Sequence, residues 1–95
     1  MSEIVVIARI KFAPDQRGIV TAATLALASA SRSEDGCLAY EVFLNSEHDD
    51  GDLLIHEIWQ DADALRAHGS SDHVQEFRRA IRDRAEVAVR KLADL

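Results

Sequence analysis

Two histidines, His68 and His73, stand on either side of the break Gly69-Ser70-Ser71. Imidazole is the side chain whose charge changes near neutral pH, which makes each ring a candidate general base. Their i, i+5 spacing is not the i, i+4 of a helical metal pair, and the single cysteine, Cys37, lies well before them, so no metal site is expected. A helix cap or a structural hydrogen bond is the competing role for either ring. Glu57 and Trp59 close an apolar run two residues apart, and on a strand they share a face. A carboxylate beside that much apolar surface must be paired or exposed. Glu57 is therefore expected as a structural hydrogen-bond partner, with base catalysis as the alternative. Trp59 is a core or interface aromatic, or else a pocket wall. Tyr40, the only tyrosine, can give its hydroxyl to a substrate oxygen or to a core acceptor. Arg9, in an otherwise apolar run, is a candidate anion partner unless it reaches solvent. His56 alternates with Glu57 and is expected on the opposite face, and His48 falls in a polar loop. Nothing near Cys37 would lower its pKa, so it reads as packing.

These side chains need elements to hold them. Ile4 to Phe12 is a β-branched run and reads as a strand that ends at Pro14. From Asp15 to about Ser31 the pattern becomes an alanine-rich helix, with Ile19, Ala22, Ala23, Ala26 and Ala30 as its expected inward stripe. Ser33-Glu34-Asp35-Gly36 is the stop signal. Cys37–Asn45 and Asp52–Trp59 are expected as antiparallel strands joined by the polar loop Ser46–Gly51. Asp61 is a natural N-cap for a short helix and Ser71 for the next, whose apolar stripe is Val74, Phe77, Ile81 and Ala85. Glu86 to Leu92, rich in β-branched residues, is expected as a closing strand. The order βαββαβ is that of the ferredoxin-like α+β fold.

The chain has 95 residues, 47% apolar and 29% charged, the composition of a single soluble domain spanning 1–95. A net charge of −6 weighs against nucleic acid or an anionic membrane as partner. No leader and no membrane-spanning run is read in the sequence, and cytoplasmic residence is the default expectation. The strands carry apolar residues on both faces, whereas an antiparallel sheet with one wet face alternates apolar with polar. Two helices shield one face only. The other is expected to pack against an identical sheet, giving an isologous homodimer.

The run Gly36-Cys37-x-x-Tyr40, then Glu57-x-Trp59, then Asp63-Ala64-Leu65-x-x-His68 and Ser71-x-His73 is similar to the pattern of antibiotic biosynthesis monooxygenase domains. The resemblance runs from Ile4 to about Leu92. It implies a dimeric α/β barrel built from ferredoxin-like protomers, with a small pocket between the sheet and the helices of each. It implies oxygenation of an electron-rich aromatic, quinol or polyketide-like molecule by dioxygen, with no cofactor, because the deprotonated substrate supplies the electrons. On that reading His68 or His73 is the base, Trp59, Tyr40 and Phe77 shape the cavity, and Arg9 and Glu57 contact the substrate. Two alternatives stand beside it. One is a non-catalytic dimeric module that binds a small molecule. The other is a haem-degrading relative; that branch uses a first-strand asparagine and a helical histidine, where this chain has Ala8 or Arg9, and Arg78.

Overall fold

The computed structural model describes residues 3–45 and 52–92. The expected loop Ser46–Gly51, with His48, lies outside the described residues. The order is β1 (Ile4–Phe12), a 3-10 turn (Pro14–Gln16), α1 (Arg17–Arg32), β2 (Cys37–Leu44), β3 (Asp52–Trp59), α2 (Ala62–Gly69), α3 (Asp72–Ile81) and β4 (Ala85–Leu92). The strands form one antiparallel sheet in the order β2-β3-β1-β4. The ferredoxin-like expectation is met, with the second helical segment split in two at Ser70-Ser71.

β1 and β3 run through the middle of the sheet, and their alternation sorts its faces. Val6, Ala8, Ile10 and Phe12 of β1, with Leu53, Ile55 and Trp59 of β3, are buried on the helix side. They pack there with Val20 and Leu27 of α1 and with Val74, Phe77 and Ile81 of α3. The caps read from sequence are in place: Asp61 accepts from the Ala64 amide at 2.8 Å and Ser71 from the Val74 amide at 3.3 Å. Each satisfies an amide that a first helical turn leaves unbonded.

Two local expectations need correction. The helix α1 buries Val20, Thr24, Leu27, Ala28 and Ser31, while Ile19 is 47% exposed. Its inward stripe is thus rotated from the alanine-centred one. Thr24 tolerates burial because its hydroxyl donates to the Val20 carbonyl at 2.8 Å. Ala85 does not extend the α3 stripe but opens β4. In β2 a register shift between Cys37 and Ala39 leaves Leu38 exposed and out of the Tyr40 face.

Gly36, at φ 83°, turns the chain from α1 into β2; a Cβ there would meet the Ala64 Cβ at 2.6 Å. Only glycine lets this turn lie against α2 without strain.

The outer face, free of helices, carries Val5 and Ile7 of β1, Leu54 and Ile58 of β3, Phe43 of β2 and Leu92 of β4, as the strand registers place them. Phe43 is 50% exposed. Two ion pairs cross the same face, Arg9 with Asp52 and His56 with Glu41.

Candidate active site

Between the helix side of the sheet and the helices lies a cavity of about 510 Å³. Its floor is Ile4, Val6, Ala8 and Ile10 of β1 with Ile55 of β3, and Leu27, Leu65, Phe77 and Ile81 close it from the helices. The polar side chains facing this apolar space include Tyr40, Glu57 and His68.

These three converge for identifiable local reasons. Tyr40 and Glu57 are register partners on β2 and β3. His68 sits in the last turn of α2. Ser71 fixes that end twice over: its hydroxyl donates to the His68 carbonyl at 2.7 Å while accepting from the Val74 amide. The imidazole of His68 then lies 4.5 Å from the indole of Trp59 and 5.6 Å from the ring of Tyr40, centroid to centroid.

His68 Nδ1 is 2.6 Å from Glu34 Oε2, and His73 Nε2 is 2.9 Å from the same oxygen. A carboxylate oxygen accepts, so each facing nitrogen carries the hydrogen, and in a neutral imidazole the Nε2 of His68 then keeps the lone pair. That Nε2 lies 4.0 Å from Glu57 Oε1. Glu57 itself, buried at 5% exposure, accepts from Trp59 Nε1 at 2.9 Å. The arrangement is one continuous cluster, Trp59–Glu57···His68–Glu34–His73.

Burial pushes the Glu57 carboxyl above its ordinary value, against the opposing pull of the Trp59 hydrogen bond and of the His68 charge. Burial, reinforced by the negative charge of Glu57, also lifts the Tyr40 phenol beyond the usual tyrosine range. Tyr40 is therefore a hydrogen-bonding group here and not an anion. Cys37 is raised as well, by burial and then by Glu34, in keeping with packing and not with a reactive thiol.

The structure thus brings Tyr40, Glu57, His68 and Phe77 to the cavity and separates the other candidates from it. Trp59 has no exposed surface and does not line the cavity; it backs His68 as a core aromatic. His73 does not line the cavity; it touches the site through Glu34 and against the His68 ring, 5.9 Å away centroid to centroid. Arg9 lies on the other side of the sheet, because odd-numbered β1 residues face outward. Its guanidinium is held in two-pronged fashion by Asp52, Nε at 2.9 Å and Nη2 at 2.6 Å. Glu34 is the residue that sequence reasoning missed. It stands in the turn after α1, 34 and 39 residues from its histidine partners, and no local pattern encodes such a contact.

Glu34, His68 and His73 place their donor atoms within 4.8 Å of one another, a set that could hold a divalent cation. The two nitrogens converge on a single oxygen at 2.6 and 2.9 Å, whereas donors around a tetrahedral zinc at ~2.1 Å stand about 3.4 Å apart. The geometry is that of a shared hydrogen bond.

Fold and site together define a small ferredoxin-like domain with an apolar cavity that ends in buried carboxylate and imidazole. The sequence pattern of the family described as antibiotic biosynthesis monooxygenase matches residues 3–80, and the chain belongs to that family. A Mycobacterium tuberculosis protein, Rv0793, whose name carries a provisional monooxygenase assignment, is 33% identical over 96 residues, covering 99% of this chain and 93% of that protein. Its solved structure superimposes with a TM-score of 0.90, covering 99% and 96% of the two chains. An uncharacterized Synechocystis protein, sll1783, is also 33% identical, over 96% of this chain and 64% of its own length; this chain thus spans less than two thirds of that relative. A crystal structure titled antibiotic biosynthesis monooxygenase has a TM-score of 0.88 at 26% identity, covering 97% of this chain and 98% of that one. Among the described residues no helix is long and apolar enough to cross a membrane.

Proposed function

We propose that the chain is a monooxygenase that oxidises an electron-rich hydroxylated arene or quinol with dioxygen, using His68 as general base. The observation that carries this reading is the His68 ring itself. It faces an apolar cavity, and its far nitrogen is fixed on Glu34 at 2.6 Å. Glu34 orients the ring and opposes the positive charge that appears when Nε2 takes a proton.

In the proposed reaction Nε2 removes the phenolic proton, and the arenolate donates electrons to dioxygen. One oxygen atom bonds to a ring carbon bearing hydrogen. The O–O bond then breaks, the second oxygen leaves as water, and the carbon becomes a quinone carbonyl. A phenol with a free ring position plus O₂ gives a quinone plus H₂O, so the substrate supplies all the electrons and the reaction needs no reductant or cofactor. The surrounding Ile55, Leu65, Phe77 and Ile81 exclude water from the reactive anion.

His73 is proposed as a positioning residue, donating from Nε2 to the Glu34 oxygen that holds the His68 ring. The proposed working unit is a homodimer joined through the outer sheet face. That assignment is supported by the exposed Phe43 and Leu92 there, since large apolar patches usually mark association surfaces.

The test is oxygen uptake with a panel of quinols, anthrones and naphthols, corrected for autoxidation, in wild type, His68→Gln and His73→Gln. Turnover with one O₂ per quinone formed, lost in His68→Gln, is expected. Turnover that neither substitution lowers removes the base assignment, and no turnover with any arene removes the reaction.

A further inference from the structure

Three cations line the cavity of a chain whose net charge is −6. On α3 the inward stripe is Val74, Phe77, Arg78 and Ile81, a helical i, i+3, i+4, i+7 set in which one position is arginine. On α2 the corresponding set is Ala62, Leu65, Arg66 and Gly69. On β4 the cavity side reads Val87, Val89 and Lys91. Arg66 is engaged by Asp63 at 2.6 Å, in a pair that is 75% and 87% exposed. Among the described residues, Arg78 and Lys91 have no ion pair or side-chain hydrogen bond. Both side chains are exposed, yet each stands on the apolar stripe of its element with no paired acid, unlike a cation on the solvated outer face. Arg79, off the α3 stripe, stands on that outer face.

The strand registers give these cations an address. Tyr40 pairs with Glu57, Glu57 with Val6, and Val6 with Lys91, so the four form one row across the sheet on the cavity side. Strands lie about 4.8 Å apart, which puts the Lys91 backbone roughly 10 Å from that of Glu57. Between them is Val6, and the next rows are apolar: Ile55, Ala8 and Val89, then Ile10 and Val87. A ligand matching this layout has a flat apolar body, a hydroxyl at the Glu57–His68 end and an anionic group one to two ring-widths away.

We infer that the cavity selects an aromatic anion, a hydroxyarene carrying a carboxylate, and that Arg78 and Lys91 are the residues that select it. As a substrate class this rests on the monooxygenase reading above; as a binding preference it does not. Arg66 contributes less, being shared with Asp63.

The test is calorimetric binding of 2-naphthoate against the neutral 2-naphthamide, probes of equal shape that are not oxidised. Wild type is expected to prefer the carboxylate by about ten-fold at low ionic strength, a preference that shrinks with added salt. Arg78→Gln and Lys91→Gln each reduce the preference several-fold and together bring it near one, while Arg79→Gln leaves it unchanged. All three side chains are exposed, so folding is not at stake. Equal affinity for both probes in wild type, no binding of either, or a preference that survives the double substitution overturns the inference. Carboxylate preference without oxygen uptake leaves the anion site and removes the reaction. Uptake with neutral quinols and no preference does the reverse.

Discussion

Glu34→Gln is the substitution that isolates the cluster from the cavity. Glu34 does not line the cavity, so substrate affinity has no direct stake in it. Its single oxygen accepts from His68 at 2.6 Å and from His73 at 2.9 Å, and glutamine keeps the length while removing the charge. A hydrogen bond to a charged group is worth ~1.5–3 kcal/mol. The bond to His68 gains that strength as the ring becomes imidazolium in the transition state, so its loss is expected to lower kcat about 10- to 150-fold. KM should stay within about two-fold, the pattern of an interaction made only in the transition state. Substrate-saturation curves on an oxygen electrode give both constants, with circular dichroism to show that the variant is folded. Glu34→Asp keeps the charge on a shorter stem and should recover part of kcat. A residue that only braced the turn after α1 would lower melting temperature and leave kcat per folded molecule unchanged. A folded Glu34→Gln variant with wild-type kcat would refute the positioning role.

Glu57 predicts a pH dependence of stability with a definite sign. Its pKa is raised from 4.5 on folding, so above that value the native state holds its proton more tightly than the unfolded chain, and stability falls as pH rises from about 4.5 through the native pKa. Glu57→Gln removes this slope: its melting temperature relative to wild type should climb across that window, and a flat difference would contradict the raised carboxyl. Phe43→Glu places a charge on the outer face beside Leu54, its register partner; sedimentation should show a dimer in wild type and monomer in the variant, and a wild-type monomer at high concentration ends the dimer proposal. Gly36→Ala combines a φ of 83° with a Cβ contact of 2.6 Å and should cost at least ~1–2 kcal/mol, read as a drop of several degrees in melting temperature. An unchanged melting temperature would mean that the turn relaxes away from α2.

How far the sequence reaches depends on whether a contact is local. β1 was legible because five of its nine residues are β-branched, which marks a strand and lets its period-two alternation be applied, and α3 because Val74, Phe77 and Ile81 repeat at helical spacing. The same alternation put Glu57 on the face of Ile55 and His56 opposite. It also puts Arg9 with Val5 and Ile7, away from Ala8, so the outward placement of Arg9 was contained in the pattern; its partner Asp52, 43 residues on, was not. α1 misled because alanine carries almost no directional signal, and because Thr24 and Ser31 can be buried. Trp59 shares the Glu57 face, yet parity says nothing of depth: the ring lies behind His68 and does not line the cavity. Glu34 was read correctly as part of a stop signal and incompletely as chemistry, since a turn residue shows no periodicity.

The electrostatics of the cavity bind these pieces into one requirement. The burial that lifts Glu57 and Tyr40 would act equally on a bound phenol, raising the cost of the arenolate that has to form. A base in such a place succeeds only if the proton stays close, so that arenolate and imidazolium remain an ion pair, and if the imidazolium has its own counter-charge. In the proposed reaction His68 on Glu34 would meet both conditions. A permanent anion on the substrate would aggravate the penalty near Glu57, and the cost is smallest where that group points at Arg78 and Lys91 instead. On the proposed function and the anion preference inferred above, the acidic end and the basic rim would fix one orientation of the substrate, with its hydroxyl toward His68, and reversing the charge at Lys91 should disfavour that orientation more than it weakens binding of a neutral arene.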